Sequence, residues 1–196
     1  MCHGSLEKLL LHDPRLHPWL TELDLELAGE VRTGGCRSCA GRLDRADYPR
    51  KPRGGPATLP AEYCSRLSFC CAADGCRRRH TPPSVRFLGR KVYLGAMVVL
   101  VSAMLHGPTP PRAAQLFQLF GVSVRTLRRW RAWWRTVFAE SDFWRARRGQ
   151  LRSPPAPALL PLSLLQCFVG EERDRLVSSL CWLSPLTTST PGRRTC

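Results

Sequence analysis

The run from Pro111 to Trp134 reads PRAAQLFQLFGVSVRTLRRWRAWW. Pro111 suits the first turn of a helix, where its missing N–H is no loss. Ala113, Ala114, Leu116, Phe117 and Phe120 supply an apolar side, Gly121 permits a sharp turn, and Val122 is placed to plug the space between two helices. Ser123 then suits the N-cap of a second helix, its hydroxyl accepting from a free amide of the first turn. At about 100° per residue Val124, Leu127, Trp130, Trp134 and Phe138 share one side of that helix, whereas Arg125 and Arg129 fall opposite and Arg128 beside them. A Gly-Val-Ser turn followed by Arg-Thr-Leu-Arg-Arg-Trp is more specific than amphipathicity alone. It predicts a helix-turn-helix that presents Arg125, Arg128 and Arg129 to double-stranded DNA, where arginine pairs bidentately with guanine O6 and N7 in the major groove. The plain alternative is a helical hairpin with a solvated arginine face. One position departs from the usual pattern: four residues before the turn glycine, where a small residue normally packs, stands Phe117, which predicts looser or differently angled packing. Trp133 and Trp144 are assigned to the core, since aromatics at helical spacing are usually packed.

Upstream, Val92 to Leu105 is apolar nearly all round and reads as the buried first helix of the same domain. Its 14 residues, with a Gly and a Ser, fall short of the roughly 20 that span a bilayer. The first 30 residues hold no basic segment followed by an uninterrupted apolar core, so no secretion signal is read there. The expected location is cytoplasmic and, given the DNA reading, nucleoid-associated.

Six of the 10 cysteines, Cys36, Cys39, Cys64, Cys70, Cys71 and Cys76, fall between Gly34 and Pro83. In a reducing compartment clustered cysteines are more often metal ligands than disulfides. Cys36-x2-Cys39 and Cys71-x4-Cys76 have the two-to-four spacing of structural zinc sites, and four thiolates satisfy tetrahedral Zn2+. The stretches Arg42 to Tyr48 and Tyr63 to Cys70 have the character of short strands, so the segment reads as a zinc ribbon with Cys36, Cys39, Cys71 and Cys76 as ligands. Cys70, Cys64 and His80 remain candidates to replace a member of the second pair. A catalytic zinc is not expected, because neither His-x-Glu beside the cysteine pair nor His-Glu-x-x-His is present.

The fold class expected is therefore mostly α with a small zinc-ribbon β module, a helix-turn-helix domain following a four-cysteine zinc ribbon. The divisions are residues 1–33, an N-terminal helical segment broken by Pro14 and Pro18; 34–84, the ribbon; 85–150, the helix-turn-helix domain; and 151–196, a linker and C-terminal helical tail. The chain carries 30 Lys+Arg against 15 Asp+Glu, a net charge of +15. All but Lys8, Lys51 and Lys91 of the basic residues are Arg, a skew that codon usage alone produces, so the distribution is the better witness. Net charge is −3 over 1–35, +9 over 36–91, +7 over 92–150 and +2 beyond. Charge concentrated in the middle fits a polyanion-binding surface. Arg50, Lys51 and Arg53 beside Tyr48, and Arg77, Arg78 and Arg79 after the last ligand, are expected to contact phosphates.

These residues also carry a resemblance. Cys36 to Gly54 (CRSCAGRLDRADYPRKPRG), then SFCCAADGCRRR, TPPSVRFLGRKVYLG and GVSVRTLRRWRAWW, resemble a group of bacterial transposase-associated proteins that pair a zinc ribbon with a helix-turn-helix. The likeness covers about residues 30–150 and implies mobile-element origin and contact with element ends or a related DNA site.

A transposase of the type that holds two metal ions needs three carboxylates from a large core. After the second helix the acids are Glu140, Asp142, Glu171, Glu172 and Asp174, bunched within 35 residues. No catalytic domain is therefore expected, and the chain is read as a DNA-binding protein rather than an enzyme. No small-molecule substrate or membrane partner is indicated. Two alternatives from other classes are a recombinase or nuclease with unrecognised acids, and an accessory subunit whose helices bind a separate transposase subunit.

Overall fold

The structure, a computed structural model, describes residues 13–55, 59–88, 94–103, 109–153 and 155–188. The helical pattern expected before residue 13, part of the loop between Pro49 and Pro60, Cys2, Cys196 and the chain after 188 lie outside the described residues. Helix accounts for 54% of what is described, and the sheets are small and antiparallel.

Helix α1, Leu16–Thr33, is one element where Pro14 and Pro18 had suggested two. Pro18 falls in the first turn, where an amide has no intrahelical acceptor to lose, so the helix runs through it. Leu16, Leu20, Asp24 and Ala28, spaced four apart, form its buried stripe.

Five very short strands follow: β1 (Leu43–Arg45), β2 (Tyr48–Pro49), β3 (Ser65–Arg66), β4 (Phe69–Cys71) and β5 (Arg79–His80). One sheet has the order β1-β4-β5, and β2 pairs with β3. The register sets Leu43 opposite Cys71 and Asp44 opposite Cys70, with Phe69 opposite His80 and Cys70 opposite Arg79. Because side chains alternate between faces, Cys71 lies with Leu43 and Phe69 on one face and Cys70 with Asp44 and Arg79 on the other.

The helical body comprises α2 (Gly95–Ser102), α3 (Pro110–Phe120), α4 (Val124–Trp133), α5 (Asp142–Arg147), α6 (Leu162–Leu165) and α7 (Glu172–Leu183). Every residue of α2 is buried, as its uniformly apolar sequence requires. Gly121 adopts φ +64°, ending α3, and the Ser123 hydroxyl accepts from the Thr126 amide at 3.3 Å to open α4. After α4 a single wide turn, Trp134–Phe138, carries the aromatic stripe onward. The C-terminal stretch is two helices rather than one, because Glu171 and Asp174 form a reciprocal capping box that starts α7 afresh. One apolar cluster joins Leu16 and Leu20 of α1, all of α2's large residues, Leu116, Phe120, Val122, Leu127, Trp130, Trp134, Phe138 and Trp144, and Leu164, Leu176, Leu180 and Leu183 from the last two helices. Trp133 packs edge-on against Trp134, with ring centres 4.9 Å apart.

A buried ion pair ties the parts together. Asp24 of α1 accepts from Arg86 Nε, from the Ser84 hydroxyl and from the Val85 amide, each at 2.7 Å. The Arg86 guanidinium also donates to the Glu62 and Ser65 carbonyls beside β3, and lies 5.2 Å from the Tyr63 ring centre.

Candidate metal centre and basic surfaces

Cys36 and Cys39 stand on the turn after α1; Cys71 ends β4 and Cys76 sits in the loop to β5. Cys36 Sγ lies 3.7 Å from Cys76 Sγ and Cys39 Sγ lies 3.4 Å from Cys71 Sγ, and all four sulfurs fall within 4.8 Å of one another. Four thiolates at about 2.3 Å from a tetrahedral ion sit roughly 3.8 Å apart, so this cluster could hold a metal ion with little adjustment. The four thiols are free.

The backbone is shaped to the sulfurs. Ala40 (φ +57°) and Arg77 (φ +43°), each directly after the second cysteine of its pair, adopt the left-handed conformation uncommon outside glycine. A Cβ on Gly41 would come within 3.3 Å of Cys39 Sγ, of Cys71 Sγ and of the Ala73 Cβ, so a larger residue there would crowd the two sulfurs. Amides of Ser38 and Cys39 point to Cys36, that of Ala73 to Cys71 and that of Arg78 to Cys76. Amides aimed at sulfur stabilise thiolate, the form that ligates metal.

The thiols titrate unequally. Burial pushes Cys36 up, but the Ser38 and Cys39 amides and His80 outweigh it and pull its pKa down to about 5. At Cys71 the Ala73 amide pulls down, yet burial and sharing a proton with Cys39, Cys76 and Cys36 push it up to about 12. Cys76 is likewise raised: the Arg78 amide lowers it, while Cys39, burial and Cys36 outweigh that pull. Four thiolates cannot coexist at this distance without a cation between them.

The rival ligands are accounted for. Cys70 points to the opposite face of β4 from Cys71, and Cys64 is exposed at the end of a short helical turn, Ala61–Cys64. His80 Nε2 lies 3.2 Å from Cys36 Sγ, a hydrogen-bond partner of a candidate ligand and not a member of the group of four.

The basic residues divide into working classes that sequence alone did not separate. Arg42 pairs with Asp44 at 3.2 Å and Arg45 with Asp47 at 2.6 Å. Arg79 donates to the Ala46 carbonyl and the Ser68 hydroxyl, holding the two sheets together. Arg50 donates to the Tyr48 hydroxyl and lies over the same ring that Arg79 flanks, at 5.2 and 5.9 Å. Lys51, Arg53, Arg77 and Arg78 are exposed, Arg78 touching Ser38. On α4, Arg125, Arg128 and Arg129 are exposed and form no ion pair among the described residues, while Leu127 and Trp130 are buried beneath them. Burial and the nearby Arg135 both lower the pKa of Arg131, a sign of cationic crowding.

Three members of the expected apolar stripes, Ala114, Phe117 and Val124, are not in the core. Phe117 is 57% exposed and Val124 41% exposed. With Ala114, Ser123 and Arg128 they line an open notch of about 640 Å³ between α3 and the first turn of α4. The helix wheel put Val124 within reach of the buried stripe. At the first position of α4, however, Val124 faces the open notch that Phe117 also lines.

Compared with known proteins, the chain matches no family model, no curated protein and no solved structure.

Proposed function

We propose that the chain is a zinc-stabilised, sequence-specific DNA-binding protein of transposase-like descent, acting at the nucleoid without a catalytic domain of its own. The observation that carries the reading is the face of α4. Three exposed arginines, Arg125, Arg128 and Arg129, stand on a helix whose other side is anchored by Leu127 and Trp130. That helix is introduced by a left-handed Gly121 and a Ser123 cap, and the whole segment from Pro110 to Ala139 contains no acid. Buried residues at 116, 120, 122, 127 and 130 have the spacing of a helix-turn-helix, in which the second helix enters the major groove. The mobile-element origin rests on the motif resemblance.

Four sulfurs in tetrahedral reach, with no carboxylate among them, suit zinc over the oxygen-seeking cations. Cys36, Cys39, Cys71 and Cys76 would hold it, and the ion would neutralise thiolates and close the two turns onto one another. Arg77 and Arg78 then stand beside the ion as phosphate contacts on a rigid base, while α4 reads base edges.

Selection of bound duplexes from a random DNA pool tests the reading, with elemental analysis of the same preparation. A convergent site and about one zinc per chain are expected. Failure to enrich any sequence removes the sequence-specific reading, and nicking of supercoiled DNA with Mg²⁺ or Mn²⁺ would replace it with an enzymatic one.

A further inference from the structure

We propose that the notch between α3 and α4 is a thymine-reading site, in which the 5-methyl group of one thymine sits against Phe117 and Val124 while Arg128 holds the strand at its edge. The inference rests on the DNA-binding reading and names what one part of that surface recognises.

Two large apolar side chains are exposed side by side at the turn, at 57% and 41%, and both line the same notch. Exposed apolar residues standing singly need no explanation; a pair that shapes one concavity does. The notch opens at the first turn of α4, the end of the helix that approaches base edges. Val124 and Arg128, four apart, project from one face of α4, so an apolar contact and a cation are presented together.

The surroundings select the occupant. Arg112, Arg125, Arg128, Arg129 and Arg131 lie on these two helices with no acid between Pro110 and Ala139. A second copy of this chain docked here would set arginines against arginines, a repulsive arrangement in an interface. A polyanion is attracted by the same field. In the major groove of duplex DNA thymine is the one ordinary base that offers an apolar group, and Phe or aliphatic side chains contact it. An apolar notch ringed by cations therefore matches a thymine edge inside a phosphate frame. Phe117, read from sequence as a departure from helix packing, becomes a contact residue.

The test uses the full chain and the duplex enriched from the random pool. Each thymine is replaced in turn by deoxyuridine, which removes the methyl and keeps the base pair, and affinity is measured by competition for the wild type, Phe117→Ala and Val124→Ala. At one thymine the replacement should weaken wild-type binding about fourfold, the value of one buried methyl-sized group at about 0.8 kcal/mol. In both variants that difference should shrink toward onefold, with affinity for the thymine duplex falling toward that of the wild type for the deoxyuridine duplex and a cooperative melt kept, since neither side chain is in the buried core. A wild type that prefers its selected duplex yet tolerates deoxyuridine at every position overturns the inference, as do two variants that keep the sensitivity. If Phe117→Ala instead turns a dimer into a monomer in sedimentation, with no deoxyuridine effect, the notch is a self-association surface and the inference is wrong. An empty selection is a different result: it removes the DNA-binding reading itself.

Discussion

Around the cysteines the described residues form one small apolar cluster, Ala28, Cys36, Leu43, Leu67, Phe69 and Cys71, and two of those six are candidate metal ligands. In the helical body one apolar cluster runs from Leu16 to Leu183 and includes the buried rings of Trp130, Trp134 and Trp144. Apolar burial scales with area, so the body has a driving force of its own, whereas strands of two or three residues with so few buried side chains do not. Were its four sulfurs to hold a metal ion, the cysteine module would be ordered by that ion as well as by its attachment to the body. Its rigidity must therefore come from outside the module's own apolar packing.

Metal removal should separate the two regions with the largest effect. Apparent zinc binding in small zinc domains amounts to about 10–16 kcal/mol, and that energy is folding energy. A strong chelator should therefore abolish amide protection over residues 36–80 while leaving most of the helical circular dichroism. Cys36→Ser or Cys71→Ser should do the same, and Cys64→Ser, Cys167→Ser or Cys181→Ser should not change metal content. Loss of the whole helical signal on chelation would show that the body depends on the module. The proton balance adds a second readout. Without metal at pH 7, Cys36, held at about 5, is already thiolate, whereas Cys71, at about 12, and the raised Cys76 are protonated. Metal loading should release at least the two protons of Cys71 and Cys76, and affinity should fall as pH falls. Titration in two buffers of different ionisation enthalpy measures that release.

The joint between the two regions gives the next effect. Asp24→Ala would leave the Arg86 guanidinium buried without its carboxylate, and breaking a buried pair from one side costs about 3–5 kcal/mol. Thermal melts should drop accordingly, with both regions losing order together because Arg86 also holds the Glu62 and Ser65 carbonyls. A melt that loses only the module would place the attachment elsewhere.

Asp24 also shows why part of the molecule was not legible in the sequence. It stands on α1 among Leu16, Leu20 and Ala28, but its partner is 62 residues away and nothing local announces the pairing. The grouping of Cys36, Cys39, Cys71 and Cys76 was legible, because metal chemistry constrains spacing, and so were the Gly121-Val122-Ser123 turn and the buried α2, because local backbone and uniform apolarity leave few options. Pro18 misled, since a proline is tolerated in a first turn and that turn could not be located from sequence. Phe117 and Val124 were placed by periodicity on apolar sides, and periodicity carries no information about whether a partner fits. Cys70 and Cys71 were separable only once the register of β4 assigned them to opposite faces.

Within the body, the arginine face offers a smaller and more selective effect. Arg125 and Arg129 project away from Leu127 and Trp130, so Arg125→Ala and Arg129→Ala should each shift stability by less than about 0.5 kcal/mol. A lost bidentate guanine contact costs about 1–3 kcal/mol and relaxes specificity at one position. Both variants should thus melt like the wild type and discriminate poorly between preferred and scrambled duplexes, whereas Trp130→Ala should lose fold and binding together. Full discrimination by both arginine variants would transfer reading from α4 to the cysteine module.

The smallest effect distinguishes the two regions by the kind of binding they contribute. Arg77 and Arg78 are exposed beside Cys76, where a metal-held base would present them to phosphates, while Arg79 is committed to the Ala46 carbonyl and the Ser68 hydroxyl. Each phosphate contact adds about −0.9 to the slope of log affinity against log salt. Arg77→Gln with Arg78→Gln should flatten that slope by up to about 1.8 and leave sequence preference unaltered, since contacts to the backbone carry no base information. Arg79→Gln should behave differently, loosening the module before it alters the slope. Competition binding across a salt series, run beside amide exchange of the same proteins, measures both. If the double variant instead changed which duplex is preferred while keeping the wild-type slope, the cysteine module would be a reader of bases, and the division of labour between a positioning module and a reading helix would not hold.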